Sequence, residues 1–320
     1  MEEEAIRGLA GRDFLSLADF EPGEIRALIR LARALKAARR QGEPHRLLEG
    51  RALAMIFRKP STRTRVAFEV GMVELGGYPL YLSGSEIQLS RGESLADTAR
   101  VLSRMVHGIM IRTFAQEEVE ELARHASVPV INGLTDLLHP TQVLADLVTL
   151  SEKWGELSGH RLAYVGDGNN MSHSLALGGG LMGMEIVLAT PPEYAPDQEV
   201  LAKARRLAGA QGGRVEWTDD PRAAVRGAHA IYTDTWVSMG QQTSGEAREA
   251  KIARLLPYQV NRELLELAAP GALVMHCLPA HRGEEATGEV LDGPASIIFD
   301  QAENRLHAHK AILAALLRGV

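Results

Sequence analysis

The 320-residue chain contains one cysteine, Cys277, so no internal disulfide can form, and no cysteine–histidine spacing around it has the form of a metal site. This usage suits a reducing compartment. Charge of one sign is not in excess: 35 Lys and Arg against 41 Asp and Glu give a formal net charge of −6. A nucleic-acid or membrane partner is therefore not expected, and any strong positive potential must be local. No apolar run approaches the length of a membrane span, since the stretch from Val143 to Leu150 is broken by Asp146. The first residues, Met1-Glu2-Glu3-Glu4-Ala5, are acidic and lack the basic segment and apolar core of a secretory leader. Internal repeats and low-complexity segments are also missing. A cytoplasmic location is expected.

What is present is a soluble, globular composition, 45% hydrophobic and 24% charged, with room for two domains. Helical periodicity over Glu21 to Gln41 places Ile25, Leu28, Ile29, Leu31, Ala32 and Leu35 on one face. Strands are predicted at Ala52 to Phe57, Tyr78 to Leu82, Gly108 to Arg112 and Pro129 to Ile131, with helices at Thr64 to Leu75, Ser94 to Arg104, Glu117 to His125 and Thr141 to Trp154. The pattern restarts with strands at Arg161 to Gly166, Glu185 to Ala189, Ala228 to Asp234, Ala272 to Cys277 and Ser296 to Phe299. Helices intervene at Ser172 to Met182, Asp197 to Ala210 and Asn261 to Leu267, and close the chain from Arg305 to Leu317. Strands alternating with helices predict parallel sheets, and two such series predict two α/β domains, each with a central, mainly parallel sheet and the active site in the cleft between them.

The stretch Arg58-Lys59-Pro60-Ser61-Thr62-Arg63-Thr64-Arg65 lies where a buried strand hands over to a helix. A helix N-terminus offers unpaired N–H donors and partial positive charge, so it favours an anion such as phosphate. An ordinary N-cap explains one hydroxyl, but not three interleaved with two arginines. Other polar groups also follow predicted strands. These are Arg112, the run His139-Pro140-Thr141-Gln142, the pair Asp234 and Ser238-Met239-Gly240, and His276-Cys277-Leu278-Pro279. Pro140 fixes the backbone between His139 and the helix start, so His139 and Gln142 can address one ligand. Asp234 suits an ammonium ligand or a structural pair. Cys277 is a nucleophile or a small buried polar residue. Gly166-Asp167-Gly168-Asn169-Asn170 matches a dinucleotide loop poorly, because Met171 stands where the third glycine belongs. An amide-lined small-molecule site fits it better.

In order along nearly the whole chain, these motifs resemble the aspartate/ornithine transcarbamoylase family. Ser61-Thr62-Arg63-Thr64-Arg65, Arg112 and His139-Pro140-Thr141-Gln142 resemble its carbamoyl-phosphate signature. Asp234-x-x-x-Ser238-Met239-Gly240 and His276-Cys277-Leu278-Pro279 resemble the ornithine branch. The aspartate branch usually has proline where Cys277 stands. The resemblance implies transfer of a carbamoyl group from carbamoyl phosphate to the δ-amine of L-ornithine, giving citrulline in arginine biosynthesis. Putrescine, N-acylornithine or aspartate as the amine, or a Rossmann-like nucleotide binder, are the other readings. It implies that carbamoyl phosphate is bound by Ser61, Thr62, Arg63, Thr64, Gln88, Arg112, His139, Gln142, Cys277, Leu278 and Arg305, and ornithine by Asn170, Asp234, Ser238 and Met239. Arg112, His139, Asp234 and Cys277 would then be catalytic. Gln88 would act across a subunit boundary in a homotrimer or multiple of trimers. The implied domains are 1–148, joined by a returning helix at about 305–320, and 149–304. Neither metal nor organic cofactor is expected, because the anhydride with phosphate is already activated.

Overall fold

A computed structural model describes residues 2–237 and 245–318. The chain divides into two compact units, Met1–Thr149 with Glu303–Val320, and Leu150–Ala302. The first contains α1 (Glu2–Arg7), α2 (Pro22–Gln41), β1 (Ala52–Phe57), α3 (Thr62–Glu74), β2 (Tyr78–Ser83), α4 (Leu95–Leu102), β3 (Gly108–Arg112), α5 (Gln116–His125), β4 (Val130–Leu134) and most of α6 (Pro140–Trp154). The second contains β5 (Arg161–Val165), α7 (Asn170–Leu181), β6 (Glu185–Ala189), α8 (Gln198–Ala210), β7 (Arg214–Thr218), α9 (Pro221–Val225), β8 (Ala230–Thr233), α10 (Glu246–Leu255), α11 (Arg262–Glu266), β9 (Leu273–His276) and α12 (Gly288–Leu291). The last helix, α13 (Ile298–Leu317), ends the described chain. Among the described residues no helix is long and apolar enough to cross a membrane.

Both sheets are parallel, with strand orders β2-β1-β3-β4 and β7-β6-β5-β8-β9. β1 is buried from Leu53 to Phe57, as its unbroken apolar run requires for a strand covered on both faces. β2 lies at an edge and leaves Tyr78 and Tyr81 exposed. Helix ends follow their local chemistry. Ser61 caps α3, Ser94 caps α4 through the N–H of Asp97, and Gly42 ends α2 at φ 71°.

One expectation about the elements fails. Ser296 to Phe299 is not a strand: Ser296 makes an isolated bridge to Val274, and the helix has begun by Ile298. A short apolar run does not by itself distinguish strand from helix. β7 was not foreseen, because Arg-Val-Glu-Trp-Thr buries only Val215 fully and reads as a polar connection.

Within the first unit α13 is tied down by buried polar contacts as well as by packing. Phe68 of α3 stacks on His309 at 4.1 Å between ring centroids. Lys36 donates to Asn304 at 2.8 Å, and Asn304 donates to Thr149 at 3.0 Å. Lys310 is wholly buried and donates to Glu74 at 2.7 Å, with His45 at 2.6 Å. Removing one partner of a buried pair leaves the other charge uncompensated. Glu74→Ala is therefore expected to lower stability by ~3 kcal/mol, whereas Lys310→Met, which removes the buried charge itself, costs less than ~1 kcal/mol. Urea unfolding of the two variants checks the order.

Candidate active site

In the first unit the sequence from β1 into α3 builds an anion-binding surface. The Ser61 hydroxyl accepts the Thr64 N–H at 3.3 Å and donates to Thr64 Oγ1 at 2.9 Å. Arg305, on α13, donates to the same Thr64 oxygen at 2.6 Å. Thr64 Oγ1 thus accepts twice, and its own proton remains to be donated. The first-turn N–H groups of α3 point outward, as at any helix start. Lys59 is buried and pairs with Asp136, while Arg58 pairs with Glu118, so these two cations are already neutralised.

Arg112 ends β3, His139 precedes α6, and Gln142 lies in its first turn; all three are buried. Burial, followed by the charges of Arg305 and Arg112 and then His309 and Arg63, holds the His139 ring well below its ordinary pKa. The same groups that would bind an anion therefore keep His139 neutral. Gln142 donates through Nε2 to Asp146 at 2.9 Å, which fixes its amide and leaves Oε1 without a partner among the described residues. Ser61, Thr64, Arg63, Arg112, His139, Gln142 and Arg305 are all carried by elements of this unit. Thr62 is an exposed first residue of α3, and Gln88 is exposed on a short 3-10 helix, Gln88–Arg91.

The second unit presents the opposite charge. Asp234, just after β8, is 5% exposed. Its Oδ2 accepts from Asn169 Nδ2 at 2.9 Å and its Oδ1 from the Cys277 thiol at 3.0 Å. Among the described residues no lysine or arginine pairs with it. Its neighbour Asp167 differs, being bonded to Lys251 at 2.8 Å; burial raises the Asp167 carboxyl above its usual range despite that lysine. Burial and the charges of Asp234 and Asp167 also hold the Tyr164 hydroxyl well above its ordinary value, so it stays a donor, to Asp167 O at 2.8 Å. A buried carboxylate without a cation is costly, and an ammonium ligand would offset that cost.

Asn169 caps α7 and is the amide bonded to Asp234; its neighbour Asn170, the residue expected to contact the amine substrate, is the first residue of the helix and is buried. Two amides in a row gave no local signal for which one turns toward Asp234. The Gly166–Asn170 turn is filled by protein rather than open to a pyrophosphate. A Cβ on Gly168 would lie 2.2 Å from Tyr194 O and 2.7 Å from Pro196 N. Asp234, His276 and Cys277 lie close enough to share a metal ion, but His276 has both ring nitrogens engaged, by Leu278 N at 2.8 Å and Glu285 at 3.0 Å. Cys277 and Leu278 follow β9 and are half-buried. Ser238 and Met239 lie outside the described residues.

A parallel α/β chain with a cationic helix start on one unit and a buried carboxylate on the other has the parts of a group-transfer enzyme joining an anionic donor to an amine. Comparison narrows the class. Residues 12–152 match the carbamoyl-P binding domain of aspartate/ornithine carbamoyltransferases, and residues 158–316 match their Asp/Orn binding domain. An ornithine carbamoyltransferase of Thermococcus kodakarensis is 54% identical over 98% of this chain and 99% of its own length. An anabolic one from Pyrococcus furiosus is 53% identical over 98% and 99%. The solved structure of ornithine carbamoyltransferase from Pyrococcus furiosus superposes with a TM-score of 0.93 at 52% identity, covering 98% and 99% of the two chains. The chain belongs to the aspartate/ornithine carbamoyltransferase family.

His139, His307 and His309 are buried, and burial holds each ring below its ordinary pKa, His307 down to about 3. In the unfolded chain each takes up a proton near pH 6.5. The unfolded state then binds more protons, so stability is complete above about pH 6.5 and falls as the pH drops below it. The expected result is a melting temperature that is flat near pH 7–8 and falls steadily from about pH 6.5 toward pH 4.5. A flat profile in that window would show these rings to be protonated in the folded protein.

Proposed function

We propose that the protein transfers the carbamoyl group of carbamoyl phosphate to the δ-amine of L-ornithine, giving L-citrulline and phosphate. The observation that carries this reading is the separation of charge between the two units. Buried cations gather at a helix start in one, and in the other stands a buried carboxylate that no lysine or arginine pairs among the described residues.

On this reading Ser61, Thr62, Arg63, Thr64 and Arg305 hold the phosphate, by hydroxyl, first-turn N–H and guanidinium donors. Arg112 and neutral His139 donate to the carbamoyl oxygen, and Gln142 Oε1 accepts from the carbamoyl amide. Asp234 and Asn170 take the ammonium end of ornithine together with Ser238 and Met239, while Cys277 and Leu278 line the reacting centre. The neutral δ-nitrogen attacks the carbamoyl carbon, so a C–N bond forms and charge collects on the carbonyl oxygen. The C–O bond to phosphate then breaks, and the proton lost by nitrogen leaves with the phosphate. Donors already aimed at the developing charge need no reorganisation.

Gln88 belongs to this proposal as a contact to a neighbouring copy in a homotrimer or multiple of trimers. The exposed Val66 and Val73 of α3, with Tyr78 and Tyr81 of β2, support a face that another copy covers. The cytoplasmic location suggested by the lone cysteine is part of the same reading.

Citrulline should form from ornithine and carbamoyl phosphate, and faster than the corresponding products from putrescine, N-acetylornithine or aspartate. Preference for another amine would reassign the substrate. Arg63→Ala should weaken carbamoyl-phosphate binding by ~10²-fold without unfolding the protein. Asp234→Asn should raise the KM for ornithine by ~10-fold or more while leaving carbamoyl-phosphate affinity near wild type. Calorimetric titration and steady-state kinetics read both.

A further inference from the structure

The segment after β9 is held in an unusual backbone shape by residues to which the proposed reaction gives no role. Leu278 has φ +60°, the only non-glycine residue in the left-handed region among the described residues. A branched residue there is strained and persists only where its surroundings hold it. The holding groups are buried side chains. The Leu278 N–H donates to Nδ1 of His276 at 2.8 Å, so that nitrogen carries no proton. The ring proton then sits on Nε2, which faces Glu285 Oε1 at 3.0 Å. Glu285 and His276 are both wholly buried. The same carboxylate oxygen accepts the backbone N–H of His281 at 2.6 Å, which ties the far side of the loop to it. At the near side, His276 N donates to Gln301 Oε1 at 3.0 Å.

We infer that Glu285 and His276 are positioning residues: Glu285 fixes the His276 tautomer, and His276 in turn fixes the Leu278 N–H, setting the direction of the Cys277 and Leu278 carbonyls and of the thiol on Asp234. This rests on the proposed function, in which Cys277 and Leu278 line the reacting centre, and it takes their backbone carbonyls to be the groups that face it. The relay binds no substrate itself. Its contribution is to orientation, where a displacement of about 1 Å costs ~10²-fold. The neighbouring charged groups fit this role. His281 Nδ1 lies 3.6 Å from Glu285 Oε2, and Glu284 is occupied by Arg248 at 2.8 Å. Burial works against the Glu285 charge, but the hydrogen bonds from His276 and the loop backbone outweigh it, and the carboxyl lies below its usual range.

The test compares His276→Ala with His276→Asn and His276→Gln, and Glu285→Ala with Glu285→Gln, each confirmed as folded by its melting curve. Asparagine can place an oxygen where Nδ1 accepts the Leu278 N–H, whereas glutamine reaches the Nε2 position instead. At saturating carbamoyl phosphate, His276→Ala, His276→Gln and Glu285→Ala should lose ~10- to 100-fold in kcat/KM for ornithine, with carbamoyl-phosphate affinity within ~3-fold of wild type. His276→Asn and Glu285→Gln should recover most of that loss. Equal defects in His276→Asn and His276→Ala, or wild-type kinetics in His276→Ala, would overturn the inference. Should the alanine variants fail to fold, 15N NMR of the intact protein decides: an unprotonated Nδ1 and protonated Nε2 support the relay, and the reverse tautomer refutes it. A wild-type protein that makes no citrulline would defeat the proposed function instead, and the tautomer would still be measurable.

Discussion

Positive charge gathered at the start of one helix is the constraint on which the rest of the first unit depends. Arg305 comes from a helix 241 residues further along the chain than Thr64, yet its guanidinium bonds the Thr64 hydroxyl directly. Like charges brought together repel, so this arrangement must be supported by other contacts. The support is visible in the buried pairing of Lys310 with Glu74, the Lys36–Asn304–Thr149 chain of hydrogen bonds, and the stacking of His309 on Phe68. These contacts cost desolvation and gain their value by placing Arg305. Burial and the same charges hold the His139 ring well below its ordinary pKa, so it can serve as a hydrogen-bond donor without adding a further buried cation.

The second unit answers with a different economy. Asp234 is bonded by an amide and a thiol, whereas nearby Asp167 is bonded by Lys251. The contrast separates a carboxylate paired with a lysine from one whose hydrogen-bond partners are an amide and a thiol. The loop after β9 applies the same logic to backbone groups, which are aimed by two buried residues that never touch the substrate.

Much of this was legible in the sequence, because local chemistry carried it. The apolar run of β1, the Ser61 cap and the two arginines predict an anion site from one short stretch, Ala52 to Arg65. Residues at strand ends, such as Arg112 and Asp234, could be picked out because open α/β sheets place their sites there. What could not be read involved long-range pairing or a choice between equals. Nothing local says that Lys310 meets Glu74, that Asn169 rather than Asn170 turns to Asp234, or that Glu285 reaches back to His276. β7 escapes the sequence pattern because an edge strand buries too little to show alternation, and Ser296 to Phe299 is ambiguous because three adjacent apolar residues fit either element.

The central claim is that this cationic helix start is built to receive a phosphate-bearing ligand. Thermal unfolding of the intact protein in the presence of carbamoyl phosphate, with chloride at equal ionic strength as control, tests it most directly. Millimolar carbamoyl phosphate should raise the melting temperature by several degrees in the wild type and by little or nothing when Arg63 and Arg112 are both replaced by alanine. An equal rise in that double variant, or no rise in the wild type, would contradict it.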